Sequence, residues 1–227
     1  VDADPAWSPP AGLRRIALVG IDGVGKTTQA HLLAEALTAA GRPARYWRNA
    51  GGRRWLDRFA VRLGRPDARR MVGRGGLMFL EALLRWLAIA RSVLGSRRAI
   101  AVMDRYAVCQ YASIRTHGAG RWERLARLAY RVFPQPDVTF LLLLPPAEAA
   151  RRIDARGTDH ESLEFLATSA AAYGSLPEAA GFVVIDARGT AAQVAAVIRQ
   201  RLTEWRPDDG RPAGASWRPD PDDSRAS

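Results

Sequence analysis

The stretch Gly20-Ile21-Asp22-Gly23-Val24-Gly25-Lys26-Thr27 decides how this chain is read. It satisfies the pattern G-x-x-x-x-G-K-[ST] without a gap, after the short apolar run Arg15–Val19 and before a helical pattern over 26–39. The residue types follow from the chemistry. Glycines let backbone N–H groups turn inward around phosphate oxygens. The helix N-terminus adds partial positive charge. Lys26 supplies a point charge to the β- and γ-phosphates, and the Thr27 hydroxyl is a Mg²⁺ ligand. The expected ATP-binding residues are Gly20, Ile21, Asp22, Gly23, Val24, Gly25, Lys26, Thr27 and Thr28. The bland alternative is a glycine turn that only caps a helix. Against it stand the completeness of the motif, its place between strand and helix, and the lysine itself. Lys26 is the only lysine among 34 basic residues.

Outward from the loop, short apolar runs alternate with longer helical patterns. Strands are expected at 15–19, 44–47, 100–103, 138–144 and 182–185. Helices are expected at 26–39, 77–94, 122–133, 147–156, 161–172 and 191–205. Leu141 to Leu144 is apolar throughout, as a strand covered on both faces should be. The alternation predicts an α/β fold, a five-stranded parallel sheet with helices on both faces. Ligands in such sheets bind at the carboxyl ends of the strands. Asp104 ends one strand, where an acid that holds Mg²⁺ or water belongs. The competing role for Asp104 is a helix N-cap.

Composition narrows the class. One cysteine, Cys109, excludes a disulfide within the chain and a four-cysteine zinc site. The charged fraction of 25% and apolar fraction of 48% are those of a globular protein. The most apolar stretch, 77–94, carries Glu81, Arg85 and Arg91, too many charges for a lipid-facing helix. The acidic, proline-rich start lacks a signal-peptide pattern, and a cytoplasmic location is expected. Residues 1–12 and 206–227 read as disordered tails around a domain at 13–205. Net charge is +11, and between Arg42 and Arg74 eleven arginines face two acids. No nucleic-acid module is visible, and arginines around a polyphosphate site account for the bias, so a nucleic-acid partner is not expected.

The run Ile16-Ala-Leu-Val-Gly-Ile-Asp-Gly-Val-Gly-Lys-Thr-Thr-Gln29 resembles the opening of the thymidylate kinase family. Three further stretches agree. Asp104-Arg105-Tyr106 is similar to the family's Asp-Arg-aromatic motif. Ala150-Arg-Arg-Ile-Asp-Ala-Arg-Gly157, followed by Glu161-Ser-Leu-Glu-Phe165 and Tyr173, resembles its lid and post-lid helix. Pro136-Asp137 before a leucine-rich strand is also similar. The resemblance covers roughly 13–205. It implies a P-loop NTPase fold with a short lid, and ATP- and Mg²⁺-dependent phosphoryl transfer to a nucleoside monophosphate, dTMP first among them, within nucleotide biosynthesis. The implied partner is a small nucleotide, with a homodimer as the assembly.

The resemblance also implies roles. Asp22 matches the loop carboxylate that holds the nucleotide's sugar hydroxyl, and Arg105 the arginine that reaches the acceptor phosphate. Arg48 and Tyr106 join them as acceptor-binding residues. Gly23 stands where one subclass carries a loop arginine, so Arg152 and Arg156 of the lid are expected to supply that charge. Four residues apart, they share a helix face. The catalytic set is then Lys26, Arg105, Arg152 and Arg156, with Thr27 and Asp104 on the metal side. The departures lie on the acceptor side. The family's Arg-Glu-Pro-Gly-Gly is here Arg48-Asn49-Ala50-Gly51-Gly52. A gapless count back from Asp104 puts the family's long-helix arginine on Leu83, with Arg85 on another side of the helix. The positions that sense base and sugar fall near Cys109, Ser113 and Ile114, and the shortened lid reads Thr158-Asp159-His160. Two alternatives stay open: a nucleotide-binding regulatory module with a decayed acceptor site, and a kinase for another small molecule.

Overall fold

The chain builds one parallel sheet. The computed structural model describes residues 7–49, 61–62, 64, 68–157 and 161–206. Within them β1 (Arg15–Val19), β2 (Ala44–Arg48), β3 (Ile100–Asp104), β4 (Val138–Leu143) and β5 (Val183–Asp186) lie in the order β2-β3-β1-β4-β5, every neighbouring pair parallel. The described helices are α1 (Lys26–Ala39), α2 (Ala68–Gly95), α3 (Ala107–Thr116), α4 (Glu123–Tyr130), α5 (Pro146–Asp154), α6 (Leu163–Gly174) and α7 (Ala191–Glu204).

β1 is the central strand, and Ile16 to Val19 are fully buried. Its start is fixed by Asp137, whose Oδ2 accepts from the N–H groups of Arg14 at 2.6 Å and Arg15 at 2.8 Å. Successive strand residues point to opposite faces. On β3, Met103 lies 3.2 Å from Ser92 Oγ of α2, whereas Asp104 takes a hydrogen bond from Thr27 of α1. The two helices therefore cover opposite faces, as expected. The parallel register sets Leu18 beside Asp104 on one side and Phe140 on the other. That places the loop after β1 and the end of β3 at one edge of the sheet.

Three features differ from the sequence expectations. Helix α3 had no counterpart there, because seven of its ten residues are buried and its N-cap Tyr106 makes no side-chain capping bond to the helix. A helix buried nearly all round shows no amphipathic period. Helix α2 starts earlier than expected, with Gly73 non-helical (φ 73°, ψ 170°) where two helical pieces meet. The third concerns the first tail. Trp7 packs on the core and donates its indole N–H to Thr203 Oγ1 at 3.0 Å, and Arg42 donates to the Pro10 carbonyl at 3.2 Å. Residues 7–12 are thus tied to the domain. Residues 1–6 and 207–227 of the expected tails lie outside the described residues. No described helix is long and apolar enough to cross a membrane.

Candidate functional site

The loop after β1 takes its shape from glycines. Gly20 has φ 138°, and a Cβ there would stand 2.5 Å from the Leu142 carbonyl oxygen of β4. Gly23 has φ 89°, and a Cβ would stand 2.6 Å from the Ala149 carbonyl oxygen of α5. A side chain at Gly23 would therefore have to displace backbone, in keeping with glycine rather than arginine at this position. Gly25 is the left-handed N-cap of α1, and no side chain caps the helix. Its first N–H groups face the loop, the arrangement that suits phosphate oxygens.

Lys26 opens α1 and is 5% exposed. Its Nζ donates to the Ile21 carbonyl at 2.6 Å and to Asp22 Oδ1 at 3.1 Å. The same Asp22 oxygen accepts from Arg105. Crowding by the surrounding protein would raise the Asp22 carboxyl, but Lys26 and Arg105 outweigh it and hold the group well below the usual carboxylate range. Glu161, at the start of the post-lid segment, lies beside Asp22. Burial and the Asp22 charge push it up to about 7, against the pull of Arg105 and Lys26. The signal for Glu161 was present in the sequence, within the family-like Glu161-Ser162-Leu163, yet only the arginines of that segment were singled out.

Beside this cluster, Thr27 Oγ1 donates to Asp104 Oδ2 at 2.5 Å. The Tyr46 hydroxyl reaches the same oxygen at 3.4 Å. Burial and the Asp104 charge push Tyr46 up to about 12, so it stays a donor. Asp104 is 4% exposed, and its Oδ1 has no hydrogen-bond partner among the described residues. A buried carboxylate oxygen without a donor next to a hydroxyl fits a hard divalent cation, which takes oxygen ligands and keeps waters and phosphates as the rest of its shell. Asp104 makes no capping bond to α3, whose N-cap is Tyr106.

The lid arginines reach the glycine loop. Arg152 donates to Glu148 Oε1 at 2.6 Å and to the Ala187 carbonyl at 3.1 Å. Arg156 is exposed, and its Nε donates to the Arg152 carbonyl at 3.0 Å. Both line a cleft of about 360 Å³ with Gly23, Gly25, Thr28 and Gly189. Thr158, Asp159 and His160 lie outside the described residues, as do Ala50, Gly51 and Gly52.

Two acceptor-side expectations need correction. Tyr106 does not face the cleft: it is 1% exposed, and its hydroxyl donates to the Pro134 carbonyl at 2.6 Å. It anchors the turn after β3 instead. The inward position on the long helix belongs to Arg85, not Leu83. Leu83 is 41% exposed, while Arg85 is 9% exposed on the face of Ile89 and Ser92. A gapless count assumes a fixed length for the connection to β3, and two residues of difference rotate the reading by about 200°. Arg85 acts on Tyr130 and Tyr173, and its Nε and Nη1 have no hydrogen-bond partner among the described residues. Cys109 lies near Tyr173 and Arg105, whereas Ile114 is buried in packing. Arg48 ends β2 opposite Asp104, with its side chain exposed.

Comparison with known proteins identifies relatives of the whole domain. Residues 18–198 match the family model for thymidylate kinase. A thymidylate kinase of Rhodopirellula baltica is 31% identical over 205 residues, 86% of this chain and 82% of the relative. One of Xanthomonas oryzae pv. oryzae is 32% identical over 216 residues, 90% of each chain.

Proposed function

The chain belongs to the thymidylate kinase family, and from that membership together with the site geometry we propose that it transfers the γ-phosphoryl group of ATP to dTMP. The observation that carries the reading is the meeting of Lys26 and Arg105 on one Asp22 oxygen, next to Thr27 and Asp104. Lys26 and the α1 N-terminus serve the donor phosphates. Arg105, with Arg48 at the end of β2, serves the acceptor phosphate. Thr27 and Asp104 are the residues that would hold Mg²⁺, which when bound supplies charge neutralisation to the donor phosphates. Phosphoryl transfer is in line, from donor to acceptor oxygen, with no covalent enzyme intermediate. Fixed N–H dipoles, Lys26, Arg105 and the lid arginines Arg152 and Arg156 meet the charge spread over the moving group. The Arg85 guanidinium, with unmet N–H groups, suits a carbonyl oxygen on the acceptor base.

A second copy of the chain is the partner this reading includes. Phe79, Leu83 and Leu87 leave an apolar stripe exposed on α2, and Trp86 ties that helix to the Ala129 carbonyl on α4, which exposes Leu125 and Leu128. A continuous stripe of this kind marks an association surface. A cytoplasmic site of action belongs to the same reading.

The test is ADP formation with MgATP and dTMP, dUMP, UMP or thymidine. Turnover that depends on dTMP, with dTDP as product, supports the assignment. ADP released at the same rate with and without any acceptor overturns it.

A further inference from the structure

Among the described residues, Arg105 is the only non-glycine with positive φ, at 79°. A left-handed backbone is unfavourable for a residue with a Cβ, so something must hold it. The Arg105 N–H still follows the sheet and donates to the Leu18 carbonyl at 3.0 Å. Its carbonyl, turned out of the ladder, is met by Asn49. The Asn49 Nδ2 donates to the Arg105 carbonyl at 2.9 Å, and the Asn49 backbone N–H donates to the Asp104 carbonyl at 3.0 Å. One residue thus grips two successive carbonyls of the acceptor motif.

The setting of Asn49 shows what the amide is for. The residue is 1% exposed, so water does not replace its donor. Its Oδ1 has no hydrogen-bond partner among the described residues. A buried amide that leaves its oxygen unbonded is placed for its nitrogen, and a flip would set oxygen against oxygen. Ser92 of α2 backs it, 3.5 Å from Nδ2, with its own hydroxyl donated to the Ile89 carbonyl. At the far end of the same residue, the Arg105 guanidinium meets Asp22.

We propose that Asn49 is a positioning residue for the phosphoryl acceptor: it holds the left-handed turn at Arg105 and so sets where the Arg105 guanidinium stands. The proposal rests on the reading of Arg105 as the group that meets the acceptor phosphate. Asn49 touches no reacting atom. It acts on acceptor affinity through Arg105; its side chain bonds the Arg105 carbonyl and Ser92 and makes no hydrogen bond to Lys26 or Thr27 of α1.

The experiment uses the full chain with Asn49→Ala, Asn49→Asp and Arg105→Ala, and with Asn49→Ala combined with Arg105→Ala or Arg105→Gly. Asn49→Asp keeps the shape and replaces the donor by an acceptor. Both Asn49 variants are expected to raise KM for dTMP tenfold or more and to leave KM for ATP within twofold. In the Arg105→Ala background, Asn49→Ala is expected to change KM for dTMP by less than twofold. A stability readout is independent of turnover. Glycine takes positive φ without strain, so Asn49→Ala is expected to lower the melting temperature less in the Arg105→Gly background than in the parent. Should Asn49→Ala alone not fold, recovery of folding by Arg105→Gly is the same result. The same KM for dTMP in the parent and both Asn49 variants, or the same loss in every background, overturns the proposal. If Arg105→Ala itself leaves KM for dTMP unchanged, the reading of Arg105 has failed. If Arg105→Ala raises it and the Asn49 variants do not, only the role of Asn49 has failed.

Discussion

Replacing Lys26 by alanine separates chemistry from folding in this site. The ammonium makes two bonds in the structure, to the Ile21 carbonyl at 2.6 Å and to Asp22 at 3.1 Å. Asp22 keeps Arg105 when Lys26 is lost, so its carboxylate is not stranded. Its side chain is also 40% exposed, so solvent screens the lost pair, and the pair itself is worth about 1 kcal/mol or less. The Ile21 carbonyl loses a charged donor, which adds about 1 kcal/mol after water takes its place. For a domain of this size a loss of about 1–2 kcal/mol lowers the melting temperature by roughly 2–8 °C. Against that stands the transition state, where one preorganised charge on the transferring group contributes about 3 kcal/mol or more, a factor of at least about a hundred in rate. The assay is coupled ADP release under saturating dTMP and MgATP, beside a thermal melt of the same preparation. The expected outcome is kcat down by two orders of magnitude or more in a protein that still melts cooperatively. A kcat within threefold of the parent would refute the assignment of the phosphate charge to Lys26.

The remaining predictions are shorter. Glu161 sits at about 7 against its usual 4.5, so its protonated form favours the fold. The stability it contributes is fully present below about 4.5 and is lost as the pH rises through 7. Glu161→Gln should flatten the melting temperature between pH 5 and 8, and an unchanged slope would argue against the Asp22 contact. Asp22 is shifted the other way, so the stability it contributes is present above 3.8 and is lost only on acidification well below that. Arg85→Leu should raise KM for dTMP about tenfold or more while KM for ATP holds, and an equal rise in both would place Arg85 outside the acceptor pocket. Trp7→Ala should cost about 1–2 kcal/mol through lost packing and the bond to Thr203, read as a fall of about 2–8 °C in melting temperature. No shift would return residues 7–12 to free chain.

What could be read ahead of the structure divides along the site itself. The donor half is local. Eight consecutive residues carry the glycines, the lysine and the threonine, and the strand before them and helix after them fix their direction, so geometry follows from spacing. The sheet was legible for a similar reason: β1, β3 and β4 are short apolar runs whose bounds fall within a residue of their expected positions. The acceptor half is not local. Arg85 faces inward only because the connection from α2 to β3 has a particular length, and counting residues cannot supply that length. Tyr106 sits in a motif beside Arg105, yet the left-handed turn at Arg105 sends the Tyr106 ring to the Pro134 carbonyl instead of the cleft.

Composition worked in opposite directions on the two halves. With one lysine in the chain, the position of Lys26 was informative by itself. With 33 of 34 basic residues arginine, no single arginine stood out, and the useful ones had to be identified by their surroundings. Burial and partners make that separation here. Arg152 bonds Glu148 and the Ala187 carbonyl, and Arg127 spans Glu123 and Glu178, which makes the second a brace between α4 and the turn after α6. Arg105 is tied to the loop carboxylate beside Lys26, and Arg85 is buried with N–H groups unmet. A guanidinium is costly to bury without partners, and that cost is what supports the proposal that Arg85 meets a ligand's acceptor oxygen. Asn49 follows the same rule with the sign reversed. Its N–H is met and its oxygen is not, and what it holds is the backbone of Arg105.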